Sequence, residues 1–270
     1  MDDTILKVQN VTKKFGALVA VGDVSMDIRR GSIHSLIGPN GSGKSTLLNL
    51  ISGLYKVNAG NIYFDDQQIT GLMPHEVSQL GIGRTFQNIR LFSSMSVIQN
   101  CMVAEHFRTK NGFLSTLLGT SSSRKSEVMM YESAKKSLEF FDLDHLADWE
   151  ATSLPYGQRR MLEIARALVM KPKLLMLDEP AAGLNPTETA TLAKWLRRIN
   201  DQDITIILVE HNMRFVMDIS DEITVLNFGK VICQGNPEKV KCEECVIEAY
   251  LGEDAEMAFD EIEKINEVTR

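Results

Sequence analysis

The amino-acid sequence predicts an α/β fold built on a parallel sheet, with an N-terminal β-rich part and an inserted run of helices. A strand-like segment runs into the glycine-rich stretch Gly38–Ser45, which is followed by a helical pattern. Two further apolar segments, Leu174–Asp178 and Ile204–Val209, lead directly into charged residues. Short apolar strands that alternate with helices are typical of parallel sheets, whose carboxyl ends carry the ligand sites.

The stretch Gly38–Ser45 matches the phosphate-binding pattern G-x-x-x-x-G-K-[ST]. A helix that begins here offers unpaired N–H groups and its positive dipole end to an anion. Glycines let the backbone approach phosphate oxygens without Cβ clashes. We expect Lys44 to reach the β- and γ-phosphates and Ser45 to hold Mg²⁺. The residues expected to contact a nucleotide here are Gly38, Pro39, Asn40, Gly41, Ser42, Gly43, Lys44, Ser45 and Thr46.

Composition narrows the class of protein. With 270 residues and 44% hydrophobic content, the chain can bury the core of one large domain or two small ones. A net charge of −7 argues against nucleic-acid binding, because phosphate backbones select basic faces. No apolar run approaches the ~20 residues that span a bilayer, and the acidic N-terminus lacks a signal-peptide layout. We therefore expect a cytosolic protein that would reach a membrane only through a partner.

The segment Leu174–Leu177 is apolar and is followed by Asp178 and Glu179. This pattern predicts a buried strand that presents two carboxylates at its carboxyl end, where ligands of open α/β sheets bind. We expect Asp178 to hold Mg²⁺ through its water shell, because this hard cation prefers oxygen ligands. Glu179, one residue further out, is placed to polarise an attacking water.

His211 follows the third predicted core strand, Ile204–Val209. An imidazole at that strand end can donate a hydrogen bond to a γ-phosphate or to the attacking water, so we expect His211 to be functional. The other histidines lie elsewhere in the pattern, and for them we expect ordinary structural contacts. They are His34, His75, His106 and His145.

Methionine, leucine and helix-forming residues dominate from about residue 93 to residue 171, which predicts a helical insertion in the α/β core. Gln87 follows a short β-type segment and precedes this insertion. An amide at such a hinge can contact Mg²⁺ or the attacking water. The sequence around Gln87 does not by itself identify this glutamine as a functional residue.

These segments, in this order, resemble the ATP-binding subunit of an ATP-binding-cassette (ABC) transporter. The resemblance covers residues 4–252 and leaves an acidic tail at 253–270 outside it. It implies a P-loop NTPase core of the ABC ATPase type, with an N-terminal antiparallel β part and a helical subdomain at about residues 93–171. It also implies that ATP and Mg²⁺ are the ligands, that Gln87 is the hinge glutamine and that His211 is the switch histidine.

Two more segments gain a role only from this resemblance. Phe15 falls where the family stacks an aromatic ring on adenine. The stretch Leu154-Pro155-Tyr156-Gly157-Gln158 falls at the signature segment, which the family uses to contact the γ-phosphate held by the opposite subunit.

The chain departs from the commoner family pattern at three positions. Pro155 and Tyr156 stand where serine and glycine are usual, so the serine hydroxyl contact to phosphate is missing. The backbone N–H groups of Tyr156 and Gly157, together with the dipole of the helix that begins there, must then carry more of the interaction. Asn185 stands where aspartate is common, which weakens charge-based signalling between subunits.

The departures occur together with longer segments that resemble the ATPases of branched-chain amino acid importers. These segments are 85–92, 154–160, 163–168, 180–186 and 248–252. That resemblance implies a peripheral subunit on the cytoplasmic face of the inner membrane, with no nucleic-acid partner. Its partners would be a second ATPase subunit, either a different homologous chain or a second copy, two transmembrane permease subunits and, indirectly, a periplasmic binding protein. Importers of urea or short amides share much of the pattern, and a soluble ABC ATPase without a transport role is the remaining alternative.

Overall fold

The structure is a computed structural model that describes residues 3–108 and 121–250, apart from the side chains of residues 105–108 and 121–126. The acidic tail at 253–270 lies outside the described residues. The strands are β1 Thr4–Phe15, β2 Leu18–Arg29, β3 Ile33–Ile37, β4 Ala59–Phe64, β5 Gln67–Gln68, β6 Ile82–Arg84, β7 Leu174–Asp178, β8 Thr205–Val209, β9 Glu222–Asn227 and β10 Lys230–Gly235.

The helices of the described residues fall into three groups along the chain. Before β6 lie α1 Lys44–Ile51 and α2 Pro74–Gln79. Between β6 and β7 lie α3 Val97–Arg108, α4 Ser121–Phe140 and α5 Tyr156–Val169, with short 3₁₀ turns at Asp144–Leu146 and Ala151–Ser153. After β7 come α6 Pro186–Asn200, α7 Met213–Ile219 and α8 Pro237–Cys242, and residues 244–250 are also helical.

The strands form two sheets of different character. The first is antiparallel, in the order β2-β1-β4-β5. It contains the N-terminal β part that the sequence predicts. The second has six strands in the order β10-β9-β3-β8-β7-β6, and all its neighbours are parallel except β10 and β9. The fold is therefore of the predicted α/β class.

Burial explains why β3, β7 and β8 form the centre of the second sheet. Every residue of these three strands is buried, as expected for a parallel sheet covered on both faces. A core of apolar side chains on one face joins these strands to α5 and α6, and a second core joins the other face to α1 and the antiparallel sheet. None of the helices in the part of the chain that the structure describes is long and apolar enough to cross a membrane.

The order of the strands brings the predicted site residues to one edge. Strand β8 lies between β3 and β7, and β6 lies on the far side of β7. Because these four strands are parallel, their carboxyl ends meet at the same edge of the sheet. The phosphate loop, His211, Glu179 and the segment with Gln87 follow those four ends.

Candidate active site

Two glycines let the phosphate loop pack closely against neighbouring backbone. Gly38 and Gly43 have φ values of +146° and +107°. A Cβ at Gly38 would lie 2.0 Å from the carbonyl oxygen of Leu226, and one at Gly43 would lie 2.5 Å from that of Ala20. Any side chain at these positions would clash with backbone atoms that have no room to shift. The loop therefore takes its shape from β2 and β9 as well as from its own sequence.

Lys44 is buried at the start of α1. Its Nζ atom donates hydrogen bonds to the carbonyl oxygens of Gly38, at 2.6 Å, and Pro39, at 2.8 Å. The ammonium group thus lies inside the concave side of the loop. Ser45 is exposed at the mouth of the loop, where its hydroxyl is accessible to a ligand.

A cavity of about 520 Å³ lies beside the loop, within the size range of small-molecule sites. The predicted site residues that line it are Phe15, Asn40, Gly41, Ser42, Gly43, Lys44, Ser45, Thr46, Gln87, Glu179 and His211. Gly38, Pro39 and Asp178 do not line it, and neither do residues 154–158. The structure therefore brings together the residues predicted to contact the phosphates, the base and the attacking water. The signature segment lies outside the lining of this cavity.

The carboxylate of Glu179 is held from two sides. His211 Nε2 lies 2.6 Å from Oε1, and Gln87 Nε2 donates to Oε2 at 2.8 Å. This contact is a hydrogen bond in the His211 tautomer that carries its proton on Nε2. Each carboxylate oxygen retains a second lone-pair direction for a water molecule. Glu179 also has a φ of +49°, a rare backbone conformation that often marks functional positions.

Glu210 contributes to this arrangement, although the sequence did not single it out. Its side chain is buried and accepts hydrogen bonds from the backbone N–H of Ala181, at 2.7 Å, and of His211, at 3.2 Å. Burial raises the pKa of the Glu210 carboxyl, and the two backbone donors act in the opposite direction. The residue therefore fixes the backbone that follows Glu179 against the backbone of His211.

Asp178 forms a second polar contact with a residue that the sequence did not indicate. Its Oδ2 atom lies 3.4 Å from Nη2 of Arg84. The Nη1 atom of Arg84 donates to Asn49 and Ser52 at the C-terminal end of α1. Burial raises the pKa of the Asp178 carboxyl, and the nearby Arg84 charge opposes this shift. The Oδ1 atom is buried without a hydrogen-bond partner among the described residues. An unsatisfied carboxylate oxygen behind a phosphate loop fits a hydrated Mg²⁺ ion held together with a nucleotide.

Phe15 lies at the end of β1, and its ring remains 43% exposed at the edge of the cavity. The ring packs edge-on against Tyr55, with the centroids 5.4 Å apart. Lys13 Nζ lies 4.9 Å from the Phe15 centroid and is held by the carbonyl oxygen of Lys56. No pattern in the sequence links Tyr55 to Phe15. The arrangement leaves a face of the Phe15 ring available for stacking with a planar base.

The signature segment surrounds the start of α5, and it packs against the segment that follows β7. Leu154 is buried and anchors the segment in the core, and Pro155 caps the helix. The hydroxyl of Tyr156 donates to the carbonyl oxygen of Ala182 at 3.1 Å, and its ring lies against Gly183. The tyrosine that replaces the usual glycine thus links two segments within one chain.

Asn185 has a structural task in this chain. It is the N-cap of α6, where its side chain accepts a hydrogen bond from the backbone N–H of Glu188 at 3.0 Å. The Glu188 carboxylate in turn accepts from the backbone N–H of Asn185 at 2.9 Å, which completes a capping box. The asparagine side chain is therefore used to begin the helix.

A nucleotide-sized cavity lined by a phosphate loop, a glutamate, a histidine and a glutamine, with a buried aspartate next to that glutamate in the chain, is typical of a nucleoside-triphosphate hydrolase. The ABC transporter family matches residues 21–182, and the branched-chain amino acid ATP-binding cassette transporter family matches residues 230–256. The chain belongs to the ABC transporter family and is an ATPase of that family.

Two proteins of known role are similar to this chain over almost its whole length. BraF of Pseudomonas aeruginosa, a high-affinity branched-chain amino acid transport ATP-binding protein, is 42% identical over 94% of this chain and 100% of its own length. LivG of Escherichia coli K12 carries the same description and is 44% identical over the same shares. Among solved structures, a nucleotide-free ATP-binding cassette from an ABC transporter superposes with a TM-score of 0.81. It is 34% identical and covers 93% of this chain and 100% of its own.

Proposed function

We propose that this chain is the ATPase subunit of an importer for branched-chain amino acids and works as a peripheral protein on the cytoplasmic face of the inner membrane. The observation that carries the proposal is the match to BraF and LivG over the full length of both relatives. The C-terminal match to the branched-chain amino acid transporter family adds support, because it lies outside the residues that match the general ABC transporter family.

ATP is held by the phosphate loop, with Lys44 leaving the carbonyl oxygens of Gly38 and Pro39 to contact the phosphates. Backbone N–H groups from Asn40 to Thr46 supply the remaining donors at the positive end of α1. Ser45, Gln87 and Asp178 would hold Mg²⁺, which would neutralise negative charge on the phosphates. The face of Phe15 stacks on the adenine.

Hydrolysis is assigned to Glu179, supported by its two hydrogen-bond partners. The carboxylate accepts a proton from the attacking water through a free lone-pair direction, while His211 and Gln87 keep the group aimed at the phosphate loop. The positive φ of Glu179 fixes the direction of its side chain by backbone geometry and adds to this alignment.

A second ATPase subunit would give the signature segment a nucleotide to contact, because residues 154–158 do not line the cavity of their own chain. We infer that two cassettes face each other, so that the N-terminus of α5 in each approaches the nucleotide of the other. The second cassette is a homologous chain or a second copy of this one. ATP bound between two surfaces closes the pair, and its hydrolysis opens it.

We assign the contact with two transmembrane permease subunits to a groove beside the proposed helical subdomain, at about residues 93–171. The groove has a volume of about 740 Å³ and runs between α2, α3 and α5. Leu91 and Phe92 contribute apolar surface, and Arg84, Arg90 and Arg166 contribute positive charge. These features match an amphipathic cytoplasmic segment that carries an acidic side chain. The wall nearest the active site is the segment that carries Gln87.

The test is purification of the tagged chain from native membranes, followed by reconstitution of the recovered complex in vesicles with its periplasmic binding protein. ATP-dependent uptake of leucine, with uptake of urea and acetamide at background level, is the expected result. Uptake of urea or acetamide in place of leucine would assign the chain to the related importers. Recovery without any polytopic membrane protein would overturn the transport role and favour a soluble ABC ATPase.

A further inference from the structure

Arg160 is the largest fully buried side chain of the described residues. It lies on α5, one turn after Tyr156, and the other buried residues of this helix are apolar except for Glu163. A buried charge of this kind is costly unless it is paired and hydrogen-bonded. The hydrogen-bond partners of Arg160 therefore indicate its role.

The guanidinium group binds three acceptors. Nη1 donates to Glu163 Oε2 at 2.8 Å and to the carbonyl oxygen of Phe86 at 3.0 Å, and Nη2 donates to the carbonyl oxygen of Gln87 at 2.9 Å. Glu163 is also buried, and its Oε1 atom accepts a hydrogen bond from the backbone N–H of Arg90 at 3.3 Å. One ion pair on α5 thus holds the segment 86–90 by its backbone at both ends.

The same segment supplies a side chain to the active site, because Gln87 Nε2 donates to Glu179 Oε2 at 2.8 Å. The backbone of Gln87 is therefore bonded to α5 while its amide is bonded to Glu179. We propose that Arg160, supported by Glu163, is a positioning residue that sets Gln87 against Glu179 and ties that contact to the helix that begins at the signature segment. The inference rests on the catalytic roles of Glu179 and Gln87 given under the proposed function.

Arginine suits this task for a geometric reason. Its planar fork presents several N–H groups in fixed directions, so it can bind two successive carbonyl oxygens and a carboxylate at once. A lysine ammonium on a flexible stem holds fewer of these acceptors in a fixed orientation. If α5 moves relative to the sheet, the Arg160 contacts require the backbone of residues 86 and 87 to move with it. The contact between Gln87 and Glu179 then depends on the position of α5.

The test uses the double variant Arg160→Met/Glu163→Met, since replacing both members of a buried ion pair by apolar residues is often tolerated by the fold. ATP hydrolysis is measured with the complete chain in its assembled complex, in wild-type and Gln87→Ala backgrounds. We expect kcat to fall about tenfold in the wild-type background, with KM for ATP changed less than twofold. In the Gln87→Ala background we expect no further loss, because the contact being positioned is already absent.

Arg198→Met is the control for the loss of an arginine outside the proposed contact, because Arg198 is exposed and lies over the rings of Trp195 and Phe140. It should retain wild-type kcat. Thermal unfolding checks that each variant folds. If the double variant does not fold, Arg160→Lys replaces it, with the expectation of a smaller fall in kcat that likewise vanishes in the Gln87→Ala background.

Two outcomes separate the inference from the proposed function. If Gln87→Ala alone leaves kcat unchanged, the role of Gln87 at the active site is wrong, and the proposed mechanism fails with it. If Gln87→Ala lowers kcat but the Arg160 variants have no effect, or lower kcat by the same factor in both backgrounds, the positioning role of Arg160 is wrong while the mechanism stands.

Discussion

The Nε2 atom of His211 lies 2.6 Å from the Oε1 atom of Glu179, although the two residues follow different strands of the sheet. This contact depends on the adjacency of β7 and β8, whose carboxyl ends place the two side chains side by side. It gives the glutamate one donor, and Gln87 gives it another, so both carboxylate oxygens are oriented before a substrate binds.

Glu179→Gln should lower ATP hydrolysis at least about a hundredfold, which is within the usual range for the loss of a general base. Its shape and hydrogen-bonding reach are kept, and Lys44, Ser45 and Asp178 still bind ATP, so nucleotide affinity should be preserved. Turnover is measured by phosphate release and affinity by equilibrium binding. The ATP-bound variant should accumulate as a dimer on size-exclusion chromatography, alone or with the second ATPase subunit.

Lys44→Ala is the contrasting variant, because it should lose ATP binding itself and therefore never dimerise. Near wild-type turnover by Glu179→Gln would place the general base elsewhere, and His211 would be the leading candidate.

Phe15→Ala should raise KM for ATP about tenfold or more with little change in kcat, because stacking of a base on an aromatic ring is worth roughly 1–3 kcal/mol. Phe15→Tyr is the matched control, since it keeps the ring and its packing against Tyr55. Steady-state kinetics with ATP and GTP measure both effects, and stacking predicts that the two nucleotides are used with similar KM. An unchanged KM in Phe15→Ala would remove Phe15 from the site.

Gly157→Asp should abolish hydrolysis, because its carboxylate would face the γ-phosphate bound by the partner, and like charges in a closed interface cost several kcal/mol. A Cβ at Gly157 would also lie 2.8 Å from Oε1 of Glu188 in the same chain, so size alone contributes to the loss. Gly157→Asn separates the two effects, as it has the same shape without the charge. Pro155→Ser, at an exposed position, should keep at least wild-type activity.

These activities are measured in the assembled complex. Equal loss in Gly157→Asp and Gly157→Asn would assign the effect to the contact with Glu188, and normal hydrolysis by Gly157→Asp would disprove the cross-subunit role of the segment.

His34 should make the fold sensitive to acid. It is buried in β3, where it contacts Thr224 at 2.8 Å, and burial lowers its pKa to about 4 from an ordinary value of 6.5. Between pH 6.5 and pH 4 the unfolded chain therefore binds more protons than the folded chain. The free energy of unfolding is consequently highest above pH 6.5 and decreases as the pH falls toward 4. The loss amounts to about 3 kcal/mol for this shift.

The measurement is urea unfolding of the wild type and His34→Asn at pH 7 and pH 4.5. The difference in free energy of unfolding between the two proteins should shrink at the lower pH, because only the wild type must release a proton to fold. Glu222, whose carboxylate lies 3.9 Å from His34 Nδ1, would reduce the effect by stabilising the charged ring. A pH-independent difference would contradict this account.

The sequence predicted the fold class and the elements around the phosphate loop, because those signals are local. The loop pattern, the apolar strands β7 and β8 and the acids that follow β7 are each contained in a few consecutive residues. The bounds of β1 and β2, which have 12 residues each, could not be predicted from the sequence. Register shifts along the pair interrupt the alternation on which such a prediction depends.

The side chains that support the site could not be predicted, because they are far from their partners along the chain. Arg84 is 94 residues from Asp178, and Arg160 is 73 residues from the carbonyl oxygen of Gln87. In the sequence, Arg160 is one of several basic residues in a helical pattern, and nothing marks it as buried. The role of Glu210 could not be predicted for a similar reason, because it depends on a hydrogen bond with the backbone N–H of Ala181.

The close packing of the phosphate loop against the β9–β10 turn bears on how the protein is made. Gly229 N donates to Ser42 O at 2.9 Å, Gly229 O accepts from Gly22 N at 2.8 Å, and the carbonyl oxygen of Leu226 occupies the space beside Gly38. A ribosome synthesises the loop long before this turn, so the nascent chain carries the complete binding motif without the backbone that shapes it. The loop therefore cannot take its final shape before the β9–β10 turn has been synthesised and has packed against it.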